Sequence, residues 1–238
     1  MIVEIIQKNL TANADFIYGF ADLRGLLDCE FTDYSFGISI GRRLDDRIID
    51  GLADGPTPEY FQHYKEVNKE LDHIALHICH DLTQQNINCI NIEASGRPQK
   101  SDLEHFWKTL RTKLSHKMVA TRAGLGWIGK TDLFVSNAYG PRVRLVSLLI
   151  DKELPMLARP VERSKCGQCD LCVTGCPAQA ASGALWDAQT DRDIFFDAFK
   201  CSRKCEELSK TRLNEDIRIC GICVSVCPIG KKQSPDAA

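Results

Sequence analysis

The run Cys166-Gly-Gln-Cys169-Asp-Leu-Cys172-Val-Thr-Gly-Cys176-Pro constrains this chain more than any other stretch. Four thiols at such spacing either converge on an inorganic centre or are tied off in pairs. A second run follows, Cys220-Gly-Ile-Cys223-Val-Ser-Val-Cys227-Pro. In C-x2-C-x2-C-x3-C-P, three thiolates hold one four-iron cluster and the fourth crosses to another. On that pattern Cys166, Cys169 and Cys172 hold cluster one, Cys176 crosses to cluster two, and Cys227 crosses back to complete cluster one. Cluster two then has Cys176, Cys220 and Cys223 and lacks one thiolate. The candidates are Cys201 and Cys205. Cys201 is preferred, because it follows the apolar stretch 194–199 that would fix it against a core, whereas Cys205 sits in the charged stretch 203–210. Zinc also accepts paired C-x2-C, but it calls for neither the third Cys nor the Pro after the fourth.

Of the 12 Cys in 238 residues, only Cys29, Cys79 and Cys89 precede residue 165. This skew sets a boundary at the Pro-containing stretch 154–160: a larger domain over 1–154, a two-cluster domain over 155–232, and a short polar tail, expected to be disordered, over 233–238. A hydrophobic fraction of 44% and a charged fraction of 26% suit an ordinary globule. The net charge of -2 gives no electrostatic case for wrapping nucleic acid, although it leaves room for a local basic patch on one RNA loop. No apolar run reaches the length of a membrane-spanning helix. Residues 1–10 lack the apolar core and cleavage site of a signal peptide, so a cytoplasmic chain with reduced thiols is expected and disulfides are not.

Ahead of the cysteine runs, 1–35 reads as a helix or two, and 35–41 as a strand ending at a Gly turn, followed by Arg42 and Arg43. Thr57 and Pro58 cap and start a long helix, with Val67, Leu71, Ala75, Ile78 and Leu82 on its inner face and His73, His77 and His80 on the outer one. Residues 86–92 read as a strand. Ser95 to Pro98 break it, and Ser101 with Glu104 forms a capping box for a second helix whose apolar face carries Leu103, Phe106, Trp107, Leu110 and Leu114. Next comes His116-Lys-Met-Val-Ala-Thr-Arg-Ala123-Gly-Leu-Gly-Trp-Ile-Gly-Lys130. Its Gly124, Gly126 and Gly129 let a backbone pass close to a ligand or to another segment. A dinucleotide site is disfavoured, because the run follows a helix instead of a strand. Residues 133–136 and 143–150 read as a hairpin, with Arg142 and Arg144 presenting positive charge at one sheet face.

Taken together, Ala123-Gly-Leu-Gly-Trp-Ile-Gly-Lys130, Gly140-Pro-Arg-Val-Arg-Leu145 and the two cysteine runs resemble the epoxyqueuosine reductase family and its short relatives over residues 34–232. The resemblance implies an α+β protein: a nitroreductase-like, corrinoid-processing type α/β domain followed by a bacterial-ferredoxin-like module with two four-iron-four-sulfur (4Fe-4S) clusters. It also implies cobalamin bound near Gly124, Gly126, Trp127, Gly129, Lys130 and Arg142. Two departures matter. An Asp that serves the family as proton donor is matched by Leu110, and Leu cannot deliver the proton that epoxide opening needs. The helical repeat region of longer members is also missing. His63, Tyr64, His105 and His116 are the remaining donor candidates, with His116 first because it precedes the glycine turn; a surface histidine is its plainer role.

Three functions stay open on this reading. The first is a reductase whose clusters relay electrons, from a donor of the ferredoxin or flavodoxin type, to a bound corrinoid acting on an unidentified substrate. The second is an electron-transfer or activator protein serving a partner's corrinoid. The third is a ferredoxin-like protein that binds no corrinoid.

Overall fold

The computed structural model describes residues 1–10, 15–95, 100–154 and 158–231. In chain order the elements are α1 (Ile2–Asn9), β1 (Phe16–Asp22), β2 (Phe36–Arg43), α2 (Asp46–Asp50), α3 (Pro58–Thr83), β3 (Cys89–Ile92), α4 (Leu103–Thr109), α5 (His116–Arg122), β4 (Gly126–Ile128), β5 (Phe134–Ser136), β6 (Val143–Ile150), α6 (Leu171–Thr174), α7 (Arg192–Phe195), α8 (Ala198–Leu213) and α9 (Ile222–Ser225). Short 3-10 turns lie at Cys29–Phe31 and Lys100–Asp102. The mixed α+β class is as expected.

Two compact units share the chain. Unit one is Met1–Arg42, Glu66–Leu125 and Arg144–Val161; unit two is Arg43–Lys65, Gly126–Val143 and Glu162–Ala238. The single boundary drawn at residue 154 therefore gives way to interleaved segments. The cysteine segment buries Ile219, Ile222 and Val224 and needs apolar surface to set them against. Residues 43–65 supply part of it: Gly221, at φ +91, sits so close that a Cβ there would lie 2.5 Å from Leu52 and 3.3 Å from Tyr60.

In unit one a four-stranded sheet has the order β1-β2-β6-β3. β1 pairs antiparallel with β2, from Phe16 opposite Arg42 to Asp22 opposite Phe36. β3 pairs antiparallel with β6, from Cys89 opposite Ile150 to Ile92 opposite Ser147. The amide of Ser35, just before β2, donates to the carbonyl of Ile150 at the end of β6 (3.2 Å), so these two strands also run in opposite directions. β6 lies between neighbours and buries seven of its eight residues, which is why it reads as a nearly unbroken apolar run. Against the sheet lies a core cluster of Ala21, Leu23, Phe31, Leu114, Val119, Ala123 and Leu149.

The long helix forms as its periodicity predicts. Val67, Leu71, Ala75, Ile78 and Leu82 are buried, and the Tyr60 amide donates to the Thr57 hydroxyl at 3.2 Å. Elsewhere tertiary pairing overrides the local reading. Phe16–Asp22 is a strand, not a second helix; it has β2 to pair with, and Gly19 leaves room for Ala123, whose carbonyl oxygen would lie 2.9 Å from a Cβ there. β5 pairs with β4, Gly126 opposite Ser136, while β6 joins the large sheet, so the expected 133–150 hairpin does not form. The second helix begins at Leu103 after a 3-10 turn. Its N-cap, Asp102, makes no side-chain capping bond, and Glu104 pairs with Lys108 at 2.6 Å instead of closing a box. Leu103 and Trp107 are exposed. α5 was not foreseen at all; Ser115 caps it by accepting from the Met118 amide.

Cys79, at the end of α3, and Cys89, at the start of β3, are joined by a disulfide, contrary to the expectation of reduced thiols throughout. No helix among the described residues is long and apolar enough to cross a membrane. The expected tail, 233–238, and part of the expected linker and of the Ser95–Pro98 break lie outside the described residues.

Candidate iron-sulfur centre

Unit two holds nine thiols, and several of them perturb one another. The Cys227 thiol is pushed up to about 11, first by burial and then by Cys172, Cys166 and Cys169. Cys223 is also pushed up, by burial and then by Cys220, Cys201, Cys172 and Cys176. The last Cys of the second run thus feels the first three of the first run, while Cys223 feels both Cys172 and Cys176. Thiols crowded this way resist ionising in concert, and a multi-iron core supplies the positive charge that offsets their repulsion. Among the described residues, no three His, Cys, Asp or Glu side chains converge tightly enough to share a single metal ion. A cluster instead spreads its four thiolates around a body several atoms wide.

Cys201 and Cys205 stand one turn apart on α8 with their sulfurs 3.8 Å from each other. Cys220 is lowered to about 7, chiefly by a hydrogen bond with Cys205.

The β4–β5 hairpin walls the first cysteine run. Trp127 is 5% exposed, and its Nε1–H donates to Cys166 Sγ at 3.4 Å. A Cβ at Gly129 would crowd Val135 at 3.1 Å, whereas Cys166 Sγ, at 3.7 Å, would be in ordinary contact with it. Lys130 is buried and its Nζ meets Asp170 Oδ1, inside the run, at 2.5 Å. Burial pushes the Cys172 thiol up, and a hydrogen bond with Thr131 acts the other way. Thr131 and Asp170 were missed from sequence. The signal for Asp170 was a carboxylate inside a metal-binding loop, in a chain with a lysine at the end of a glycine run.

The other residues offered for cobalamin are also engaged. A Cβ at Gly126 would lie 2.1 Å from the Val135 carbonyl oxygen, and one at Gly124 would lie 2.9 Å from Ala158 and from the Arg159 carbonyl oxygen. Arg142 presents no charge at a sheet face. It is fully buried, with NH1 3.0 Å from Asp46 and NH2 2.6 Å from Asp50. Arg144 donates to Asn68 at 2.9 Å and to Ser95 at 2.8 Å.

The donor candidates are divided between the units. In unit two, His63 Nε2 accepts from the Asp45 amide at 3.0 Å, and Tyr64 stacks edge-on with Tyr60. In unit one, His105 and His116 line a cavity of about 590 Å³ that also includes Glu93, Asp102, Arg111 and Lys113. His116 is neither a surface histidine nor an open acid. Its Nε2 lies 2.9 Å from the Glu93 carbonyl oxygen, which can only accept, so Nε2 carries the hydrogen and Nδ1 accepts from Ser147 Oγ, also at 2.9 Å. Burial above all holds its pKa below the usual histidine value. Leu110, at φ 50, ends α4.

Residues 165–230 match the 4Fe-4S double cluster binding domain. Epoxyqueuosine reductase from Cyclobacterium marinum is 25% identical over 217 residues, which is 82% of this chain and 64% of that protein. Its counterpart from Aliivibrio fischeri is 34% identical over 111 residues, 46% of this chain and 29% of that one. Among solved structures, epoxyqueuosine reductase from Bacillus subtilis superposes with a TM-score of 0.57 at 17% identity, covering 96% of this chain and 65% of that one. A reductive dehalogenase described with B12-dependent dehalogenation reaches 0.62 at 14% identity, covering 92% and 30%. The chain thus spans less than two thirds of each of these relatives. The class is that of iron-sulfur proteins with a double 4Fe-4S domain. Within it, the chain is similar to the epoxyqueuosine reductases.

Proposed function

We propose that the chain is an iron-sulfur oxidoreductase that takes low-potential electrons from a ferredoxin or flavodoxin type donor and passes them through two 4Fe-4S clusters to a corrinoid-dependent reduction. The observation that carries this reading is the match of residues 165–230, which hold all nine thiols of unit two, to a 4Fe-4S double cluster binding domain. Cys166, Cys169, Cys172 and Cys227 would hold cluster one. Cys176, Cys220, Cys223 and a thiol of α8 would hold cluster two. Trp127 and Thr131 would supply hydrogen bonds to the sulfurs of cluster one, a recognised lever on cluster potential. Lys130, through Asp170, would hold the loop that carries them. A nitroreductase-like fold for unit one and a cytoplasmic setting belong to the same reading.

A corrinoid, when bound, supplies a cobalt that can be reduced and can act on substrate. The residues assigned to it from sequence do not fit that role, because Trp127, Lys130 and Arg142 are taken up by Cys166, Asp170 and the Asp46–Asp50 pair. No step is routed through them. The unit-one cavity is of the size that holds a small substrate, whereas a corrinoid with its nucleotide tail exceeds the drug-sized ligands such volumes accept. These two observations favour a second reading, in which the chain delivers electrons to a corrinoid carried by a partner protein. A tRNA substrate has no support from the net charge of -2. Leu110, in place of the family's proton donor, also argues against epoxide opening.

The test is anaerobic reconstitution, iron and sulfide quantification, and titration with cob(II)alamin followed by cobalt EPR. About eight irons per chain and a base-off cobalt signal support the first reading. About eight irons with no change in the cobalt signal support delivery to a partner. Fewer than two clusters refutes both.

A further inference from the structure

α8 holds one thiol more than the clusters need. Cys201, Cys205 and Ser209 recur at four-residue intervals and so share one face of the helix. Ser209 is fully buried and ties that face to the second cysteine run: its Oγ donates to the Ile219 carbonyl at 3.1 Å and accepts from the Ile219 amide at 3.3 Å. Ile219 immediately precedes Cys220, the first thiol of the second cysteine run. Cys205 is buried, Cys201 is half-buried, and their sulfurs are 3.8 Å apart. Two thiols therefore stand together on the face of α8 that is tied to the residue before Cys220, and on the reading above cluster two needs one of them.

We propose that Cys201 and Cys205 are interchangeable fourth ligands of cluster two, and that the one not bound donates its S–H to the bound sulfur. This rests on the two-cluster reading above. The exchange balances without any redox partner. When Cys205 replaces Cys201, one iron–sulfur bond forms and one breaks, and the Cys205 proton passes to the departing Cys201 thiolate. Net charge and electron count are unchanged. The spare thiol protects the cluster against losing a ligand, and its hydrogen bond raises the cluster's potential by stabilising charge on the ligating sulfur.

The experiment reconstitutes the full chain and its Cys201→Ala, Cys205→Ala and double variants anaerobically. It measures iron per chain and the EPR of the reduced and the oxidised protein, with circular dichroism to confirm folding. Each single variant is expected to keep about eight irons, and the double to fall to about four. In the Cys205→Ala variant the potential of cluster two should drop while that of cluster one stays put. A single variant that loses iron, or shows a three-iron signal, while the other keeps the full complement would overturn the exchange and identify one fixed ligand. A double variant that keeps both clusters would place the fourth ligand elsewhere. A wild type with fewer than two clusters would instead sink the underlying reading, and the proposal with it.

Discussion

Replacing Trp127 by Phe tests how the glycine-rich run serves the cluster. The substitution removes the indole N–H that reaches Cys166 Sγ at 3.4 Å and keeps an aromatic ring in a site only 5% exposed. An N–H directed at a ligating sulfur stabilises negative charge there, and the reduced cluster carries one more electron than the oxidised one. The bond is therefore stronger after reduction, and losing it makes reduction harder. If the difference between the two states is a net hydrogen-bond contribution of about 0.5–1.5 kcal/mol, then 59 mV per tenfold for one electron gives a fall of about 20–60 mV. EPR-monitored redox titration should resolve two transitions, with only cluster one shifted. The smaller ring also leaves a void, so a stability loss of about 1–3 kcal/mol is expected alongside. An unchanged or raised cluster-one potential in a folded variant with full iron content would refute the reasoning.

Three further outcomes are expected. Gly140, at φ +56, packs so closely that a Cβ would lie 1.9 Å from the Ile229 carbonyl oxygen, so Gly140→Ala should cost about 2–4 kcal/mol in urea unfolding; a loss within error would mean the two backbones can part freely. His116 titrates below its ordinary value of 6.5 when folded, so the unfolded chain takes up the proton first as pH falls. The stability due to neutral His116 is complete above about pH 6.5 and is lost as pH drops toward the folded value. Urea midpoints at pH 7.5 and 5.5 should therefore fall more steeply in the wild type than in His116→Gln, and equal slopes would count against burial of the neutral ring. The Cys79–Cys89 disulfide spans a sequence separation of 10, so Cys79→Ser should lower stability by about 2.5–3 kcal/mol without reductant. Dithiothreitol should bring the wild type down to the variant.

The double-cluster segment was legible because its cysteine spacing is local, and α3 was legible because Thr57, Pro58 and a 3.6-residue apolar period all point the same way. The glycine run was not, because a glycine that admits a ligand and one that admits a neighbouring strand look alike until Val135 is seen against Gly126. Arg142 misled for a related reason: alternation along a strand gives a side chain's face, but Asp46 and Asp50, which turn that face into a buried ion pair, lie in a distant segment. Cys205 is a different case, since the information was present. Judged by its charged neighbours it looks like surface, yet Arg203, Glu207 and Lys210 are exposed while Cys205 and Ser209 are buried on the other side of the same helix. Counting by helical turns over 198–213 puts Cys201, Cys205 and Ser209 in one line. Composition and periodicity thus gave opposite answers for one thiol. Periodicity prevailed because a helix packed on one side exposes charge at some positions and buries thiols at others within a single turn.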